Sequence, residues 1–284
     1  MYSDRQQLIL QEMGLGPLWL LRQTSPEALS ANPEPAPTST LESSTPGALP
    51  VSDPQRQAGL SSDQALVADL QAQTVPPSAT LVRSAQADEL SMTMRMSWPE
   101  LTEAVSNCQA CGLCKGRQQT VFGVGDQQAR WLFIGEGPGY NENLQGLPFV
   151  GEAGKLLDNM MLALGLQRGQ NTYIANIVKC RPTDAQGKDR PPSAQEIAAC
   201  LPYLQRQIAL INPSVIVALG KTAAIALLGL DPQTPVSQLR GKVHQYQDIP
   251  LVATYHPAYL LRQPLEKAKA WQDLCQARAL VATA

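Results

Sequence analysis

The sequence contains few aromatic residues and almost no histidine. Aromatic residues make up 5% of the 284 positions, with 3 phenylalanines and 2 histidines. No run approaches the roughly 18 apolar residues that a membrane span requires, and no secretory signal follows the polar start at Met1. We therefore expect a cytoplasmic protein without membrane contacts. No P-loop lysine and no flavin or nicotinamide fingerprint is present, which disfavours nucleotide and redox enzymes.

Charge and composition divide the chain into three parts. Residues 1–95 carry 5 Lys and Arg against 10 Asp and Glu, whereas residues 96–284 carry 17 against 14. Nine prolines and no aromatic residue between Pro26 and Pro77 predict a disordered linker over residues 23–95, because such a stretch buries too little apolar surface to fold. Residues 1–22 form a separate N-terminal segment. The mildly basic residues 96–284 form the predicted domain, and nucleic acid is a compatible partner.

Residues 96–284 alternate between buried-strand and helix patterns. This alternation predicts an α/β fold, a three-layer sandwich with a central, mostly parallel four-stranded sheet. Ser193 and Glu196 form a capping-box pattern before a helix that reaches Ile211. The four strands are predicted at Trp131–Ile134, Tyr173–Val178, Val215–Leu219 and Leu251–Thr254, and the other helices at Gly151–Leu164, Lys221–Leu228 and Pro264–Val281.

Distinctive residues follow these strands, where parallel sheets bind ligands. The glycines of Gly135–Gly139 allow close backbone approach to a ligand, but a plain turn explains them equally well. A turn does not require Glu136, however. Phe149 lies between glycines before a helix, so it is either a core residue or a ring that stacks on a base. His256 follows the last strand and is as readily structural as functional.

The chain has six cysteines, and four of them form two groups around the predicted sheet. A reducing compartment makes a disulfide framework improbable, and clustered thiolates more often hold a metal or a cluster. Spacing alone does not separate zinc from iron–sulfur, since both accept four thiolates. Buried free thiols would explain Cys114 or Cys275 but not the paired cysteines. The grouped residues are Cys108, Cys111, Cys180 and Cys200.

Five motifs in this order resemble those of the family 4 uracil-DNA glycosylases, the iron–sulfur members of the uracil-DNA glycosylase superfamily. Each is weak alone, but together they span nearly the whole predicted domain, from Cys108 to about Trp271. The motifs are Cys108-x2-Cys111, Gly135-Glu-Gly-Pro-Gly139, Gly146-x-Pro-Phe-Val-Gly-x-Ala-Gly154, Asn176-Ile-Val-Lys-Cys-Arg-Pro182 and Tyr255-His-Pro-x-Tyr-Leu-Leu-Arg262.

The resemblance implies hydrolysis of the N-glycosidic bond of flipped-out uracil in DNA, as in base excision repair. Phe149 would stack on the base, Asn176 would read its edge, and His256 would donate a hydrogen bond to O2. Glu136 would position the attacking water. Amides near Gly137 would stabilise developing charge. Further implied roles are exclusion of thymine by Glu142 and DNA binding by Lys179, Arg181, Tyr259, Leu260 and Arg262.

The resemblance also implies a cofactor, a structural [4Fe–4S] cluster. Its ligands would be Cys108, Cys111, Cys180 and Cys200, with Cys114 left out. Such a cluster would tie the Cys108 segment and the Cys180–Cys200 loop to the sheet.

The first 22 residues are similar to the N-terminal peptide of the psi subunit of bacterial DNA polymerase III, which binds the clamp-loader collar. On this basis Leu15, Trp19 and Arg22 are candidate partner-binding residues for clamp-loader subunits. A terminal helix packed on the domain is the alternative. The second function hypothesis is a non-catalytic, psi-like replisome subunit that keeps the glycosylase fold. Retention of Glu136 and the other pocket residues favours catalysis, and we expect a monomer.

Overall fold

A computed structural model describes residues 91–283 of the chain. The predictions for residues 1–22, including Leu15, Trp19 and Arg22, lie outside the described residues, as does the linker up to residue 90. Residues 91–95, which we predicted as the end of the linker, form a helical turn in which Thr93 is buried. The folded region therefore begins before residue 96.

The described residues alternate between helices and strands along most of their length. The six strands are β1 (Val124–Gly125), β2 (Trp131–Gly135), β3 (Thr172–Asn176), β4 (Val215–Leu219), β5 (Val243–Tyr246) and β6 (Ile249–Thr254). The α-helices are α1 (Trp98–Asn107), α2 (Tyr140–Gln145), α3 (Glu152–Ala163), α4 (Ala194–Ile211), α5 (Lys221–Leu228), α6 (Val236–Leu239), α7 (Pro257–Arg262) and α8 (Lys267–Thr283). Short 3₁₀ turns occupy Gly112–Lys115 and Pro264–Glu266.

The strands form one mixed sheet in the order β1-β3-β2-β4-β6-β5. The four inner strands are parallel, as predicted, and place Phe133 of β2 between Ile174 of β3 and Val217 of β4. The prediction of four strands missed β1 and β5, which add to the two edges in antiparallel pairing. Both are short and only partly buried, so neither has the continuous apolar run that revealed the inner strands.

Alternate residues of each inner strand face opposite layers of helices. In β2, Phe133 faces a core built with α3 and α8, while Leu132 and Ile134 face a core built with α4 and α5. The three-layer α/β prediction is therefore confirmed. The predicted cap of α4 is also present, because Ser193 Oγ accepts the backbone N–H of Glu196 at 3.2 Å.

Among residues 91–283, no helix is both long enough and apolar enough to cross a membrane.

Candidate active site

The carboxyl ends of the four parallel strands border two adjoining cavities that are open to solvent, a smaller one and a larger one. Each inner strand contributes: Glu136 follows β2, Asn176 ends β3, Thr222 follows β4 and His256 follows β6. The strand order changes direction between β2 and β4, which is where open α/β sheets bind ligands. The residues that line both cavities are Glu136, Gly137, Asp189, Arg190, His256 and Ala258.

Asn176 presents an unsatisfied polar atom to the smaller cavity. The residue is 2% exposed, and Oδ1 has no hydrogen-bond partner among the described residues. Gly135 makes this placement possible, because a Cβ there would lie 2.5 Å from Asn176 Oδ1 and 2.6 Å from Phe149 Cζ. A buried amide oxygen without a partner is costly, so this atom is suited to receive a donor from a ligand.

Phe149 forms one wall of the same cavity beside His256. The two rings are stacked, with centroids 5.6 Å apart and planes inclined by 29°. Phe149 has a positive φ of 55°, which is unfavourable for an aromatic residue. Arg168 holds this backbone: its Nη2 donates to Phe149 O at 3.0 Å and to Asp158 Oδ1 at 2.7 Å.

Glu142 lines the smaller cavity, but its carboxylate is occupied by the backbone. It accepts N–H groups of Gly139 at 3.1 Å, Val150 at 2.9 Å and Gly151 at 3.1 Å. These contacts join helix α2 to the Phe149 loop. In this position Glu142 shapes the pocket through its main-chain contacts, a role that the sequence pattern did not indicate.

The imidazole of His256 is held as a neutral hydrogen-bond donor. Its Nδ1 lies 3.1 Å from the backbone N of Ala258 and accepts that N–H at the start of α7. Because Nδ1 is the acceptor, the ring proton lies on Nε2. Burial, reinforced by the Arg262 charge, lowers the pKa of His256 to about 4, although Glu142 acts in the opposite direction. The ring is therefore neutral at physiological pH.

The Glu136 carboxylate is fixed by a residue that sequence analysis did not single out. Thr222 Oγ1 donates a hydrogen bond to Glu136 Oε2 in the wall of the larger cavity. Thr222 lies in the first turn of α5, directly after β4. Its only sequence signal is its position just after a buried strand. The contact aims Glu136 over the open end of the sheet.

The five predicted DNA-binding residues are placed differently from one another. Tyr259 and Arg262 are exposed at the larger cavity. Half-buried Arg181 lies over the Tyr140 ring and pairs with Asp189 at 2.6 Å.

Two of the expected DNA-binding residues were predicted wrongly. Leu260 is 1% exposed and packs in the core; the exposed neighbour is Leu261. Lys179 is 1% exposed, and burial lowers its pKa to about 8, so its ammonium does not face DNA.

The cysteine groups meet at a separate, narrow cavity on the α4 side of the sheet. Cys108, Cys111, Cys180 and Cys200 all line it, and Cys114 lines it as well. Within residues 91–283, no three His, Cys, Asp or Glu side chains are arranged to hold a single metal ion. Cys275 does not line this cavity.

Three of these sulfurs already have donors directed at them. Lys179 donates its backbone N–H to Cys200 Sγ at 3.2 Å, and Ala110 donates to Cys108 Sγ at 3.5 Å. Arg117 Nη1 lies 3.4 Å from Cys180 Sγ, a contact that the sequence did not indicate. Burial raises the pKa of Cys200 to about 12, so a bound metal would have to displace its proton. Donors of this kind fit anionic, metal-bound thiolates.

Comparisons with known proteins agree with this architecture. A family model described as the uracil DNA glycosylase superfamily matches residues 122–275. The chain is 40% identical over 174 residues to the type-4 uracil-DNA glycosylase of Archaeoglobus fulgidus, covering 59% of this chain and 85% of that protein. It is 38% identical over 185 residues to the type-4 enzyme of Pyrobaculum aerophilum, covering 63% of this chain and 92% of that protein.

A bacterial relative gives the same result. The type-4 uracil-DNA glycosylase of Thermotoga maritima is 38% identical over 183 residues, covering 60% of this chain and 92% of that protein. The chain belongs to the uracil DNA glycosylase superfamily. The resemblance inferred from the five motifs is thereby confirmed for the glycosylase domain.

Proposed function

We propose that this protein is a uracil-DNA glycosylase, which hydrolyses the N-glycosidic bond of flipped-out uracil in DNA. The observation that carries the proposal is the buried Asn176 amide, whose Oδ1 lacks a partner beside the stacked Phe149 and His256 rings. Similarity to type-4 uracil-DNA glycosylases supports the same function.

Asn176 would supply the discrimination between uracil and cytosine. Uracil offers a donor at N3 and an acceptor at O4, which complement the amide oxygen and the amide NH₂ group. Cytosine presents an acceptor at N3 and a donor at its exocyclic amine, so both contacts would become repulsive. A site with buried polar groups rejects a mismatched base because those groups are left unpaired. Phe149 would stack on one face of the base.

His256 and Glu136 would act on the two sides of the breaking bond. The neutral imidazole would donate its Nε2–H to O2 of uracil, where negative charge accumulates as the base leaves. Glu136, held by Thr222, would orient the water that attacks C1′ of the oxocarbenium-like sugar. Backbone amides near Gly137 would add further preorganised donors. Proton and charge positions are thus set before the substrate enters.

The surface around helix α7 would hold the distorted DNA. Tyr259, Leu261 and Leu265 expose 36%, 45% and 92% of their surface, and Arg262 lies among them. An apolar side chain that enters the base stack can stabilise a flipped nucleotide, and an adjacent Arg can pair with phosphate. With Leu260 buried, we propose Tyr259 and Leu261 as the residues that fill the gap.

We propose that Cys108, Cys111, Cys180 and Cys200 hold a [4Fe–4S] cluster. The five-cysteine cavity and the N–H donors directed at three sulfurs support a cluster at this place, and the resemblance to the family 4 motifs leaves Cys114 out of the ligand set. The cluster would serve as a structural cross-link, because its ligands come from the segment after α1, the segment after β3 and helix α4. No catalytic step would pass through it.

An oligonucleotide assay tests the proposed activity. Iron-loaded protein is incubated with single- and double-stranded DNA containing one uracil, and the abasic product is cleaved with alkali. We expect cleavage of the uracil strands and none of matched cytosine or thymine strands. An H256A/E136Q preparation, purified in parallel, controls for a contaminating glycosylase. Absence of uracil release by the iron-loaded parent would refute the proposal.

We further propose that residues 1–22 bind a clamp-loader subunit and tether the domain near replicating DNA. The resemblance to the psi peptide, with Leu15, Trp19 and Arg22, supports this role.

A further inference from the structure

Lys179 lies between the cysteine cavity and the base-reading residue Asn176. Its Nζ donates to the backbone O of Asn176 at 3.0 Å and to Gln207 Oε1 at 2.6 Å. Its backbone N–H donates to Cys200 Sγ at 3.2 Å. Lys179 also precedes Cys180 in the chain and lines the cysteine cavity. One residue therefore contacts both functional regions of the domain.

The surroundings of Lys179 orient its ammonium firmly. Gln207 is completely buried, and its Nε2 donates to Phe122 O at 3.0 Å, which leaves Oε1 directed at Lys179. The backbone O of Lys179 accepts the N–H of Val121 at 2.7 Å. Since main chain and side chain are both held, the Asn176 carbonyl is fixed just where β3 ends.

The charge of Lys179 lacks a carboxylate counterpart. In the described part of the chain, no Asp or Glu oxygen lies within 4 Å of its Nζ. The two oxygens that it contacts are neutral, and burying an uncompensated ammonium is costly. A [4Fe–4S] cluster with four thiolates would carry a net charge of about −2, which would supply the missing counter-charge.

We propose that Lys179 is a positioning residue that joins the cysteine-bound cluster to Asn176, with its ammonium as counter-charge to the cluster. This inference rests on the proposed function. It makes the cluster more than a cross-link, because the cluster sets the position of the side chain that recognises uracil.

The experiment compares purified, iron-loaded Lys179→Met with the parent protein. Three quantities are measured: iron per chain, the reduction potential of the cluster, and the single-turnover rate of uracil excision. Lys242→Met is the matched control, because Lys242 is exposed and lies beside β5. We expect the control to equal the parent in all three measurements.

For Lys179→Met we expect a more negative reduction potential, since a nearby positive charge favours the reduced, more anionic cluster. We also expect excision to slow about 10-fold to 100-fold, the usual effect of losing an outer-sphere partner. An unchanged potential together with unchanged excision in the iron-loaded variant would overturn the proposal.

Lys179→Arg keeps the charge but changes the donor geometry. The cluster of this variant should have the same reduction potential as that of the parent, but uracil excision should be slower. Lys179→Arg also serves as the test variant if Lys179→Met does not accumulate as iron-loaded protein. If Lys179→Arg then excises uracil at the parent rate, the Nζ contacts of Lys179 do not position Asn176, and the proposal is refuted. Failure of the proposed function can be told apart from failure of the Lys179 proposal. In the former case the parent protein itself would lack iron or would not release uracil.

Discussion

The Nδ1 atom of His256 accepts the backbone N–H of Ala258 at 3.1 Å. This contact commits the imidazole to one tautomer, with its proton on Nε2, and burial lowers its pKa to about 4. In the proposed mechanism His256 is therefore a neutral donor to uracil O2, and its action should not depend on protonation near neutral pH.

The first prediction concerns pH. His256 should stay neutral in the folded protein down to about pH 4, whereas the unfolded chain binds this proton below about pH 6.5. The free energy of unfolding should therefore decrease as pH falls from 6.5 towards 4, and less so in His256→Gln. Single-turnover excision should show no inflection near pH 6.5. A histidine titration of excision centred there would contradict the neutral-donor role.

The second prediction concerns base recognition. Asn176→Asp should slow uracil excision by about 100-fold, because an ionised carboxylate cannot donate to O4 and leaves that atom unpaired. Competition between uracil and cytosine oligonucleotides measures the change in discrimination. Asn212→Asp is the control, because Asn212 is exposed and lies before β4, away from the carboxyl ends of the strands. If Asn176→Asp keeps the parent selectivity for uracil over cytosine, this side chain does not recognise the base.

The third prediction concerns the attacking water. Glu136→Gln should slow excision by about 100-fold or more, because the carboxylate that orients the attacking water is lost. Thr222→Val removes the hydroxyl that holds Glu136 and should cause a smaller loss. In the double variant the losses should not add, since Thr222 acts through Glu136. Thr102→Val, at an exposed position of α1, provides the control. Additive losses would indicate independent roles.

The fourth prediction concerns the cysteines. The purified parent should be brown and carry about four irons per chain. Cys180→Ser and Cys200→Ser should lose iron and become less soluble, whereas Cys114→Ser and Cys275→Ser should retain it. Iron and zinc analysis checks each variant. Stoichiometric zinc without iron would refute the cluster, and loss of iron in Cys114→Ser would change the ligand set.

The fifth prediction concerns the N-terminal segment. The composition of residues 23–95 predicts a flexible linker, and a coil of about 70 residues would have a root-mean-square reach on the order of 45 Å. Such a reach would let a bound peptide keep the domain near DNA. Removal of residues 1–22, or Trp19→Ala, should abolish capture of clamp-loader subunits and leave oligonucleotide excision unchanged. A lower melting temperature of the truncated protein without loss of a partner would instead support a helix docked on the domain.

The inner sheet and the main helices were predictable from the sequence because each depends on local pattern. Continuous apolar runs revealed the parallel strands, and the Ser193 capping box located helix α4. The order of the strands then places Glu136, Asn176 and His256 at one edge of the sheet. The resemblance to known motifs supplied the chemistry that these positions would perform.

The direction of individual side chains was decided only by the tertiary structure. Sequence spacing marks Lys179 and Leu260 as members of functional motifs, yet packing turns both inward. Thr222 reaches Glu136 because β2 and β4 are neighbours, although 86 positions separate the two residues. Local sequence patterns indicate which segments are buried and whether they are helices or strands. Contacts between distant segments form only when the sheet assembles. The motifs therefore identify the site, and the fold determines which of their side chains can reach a substrate.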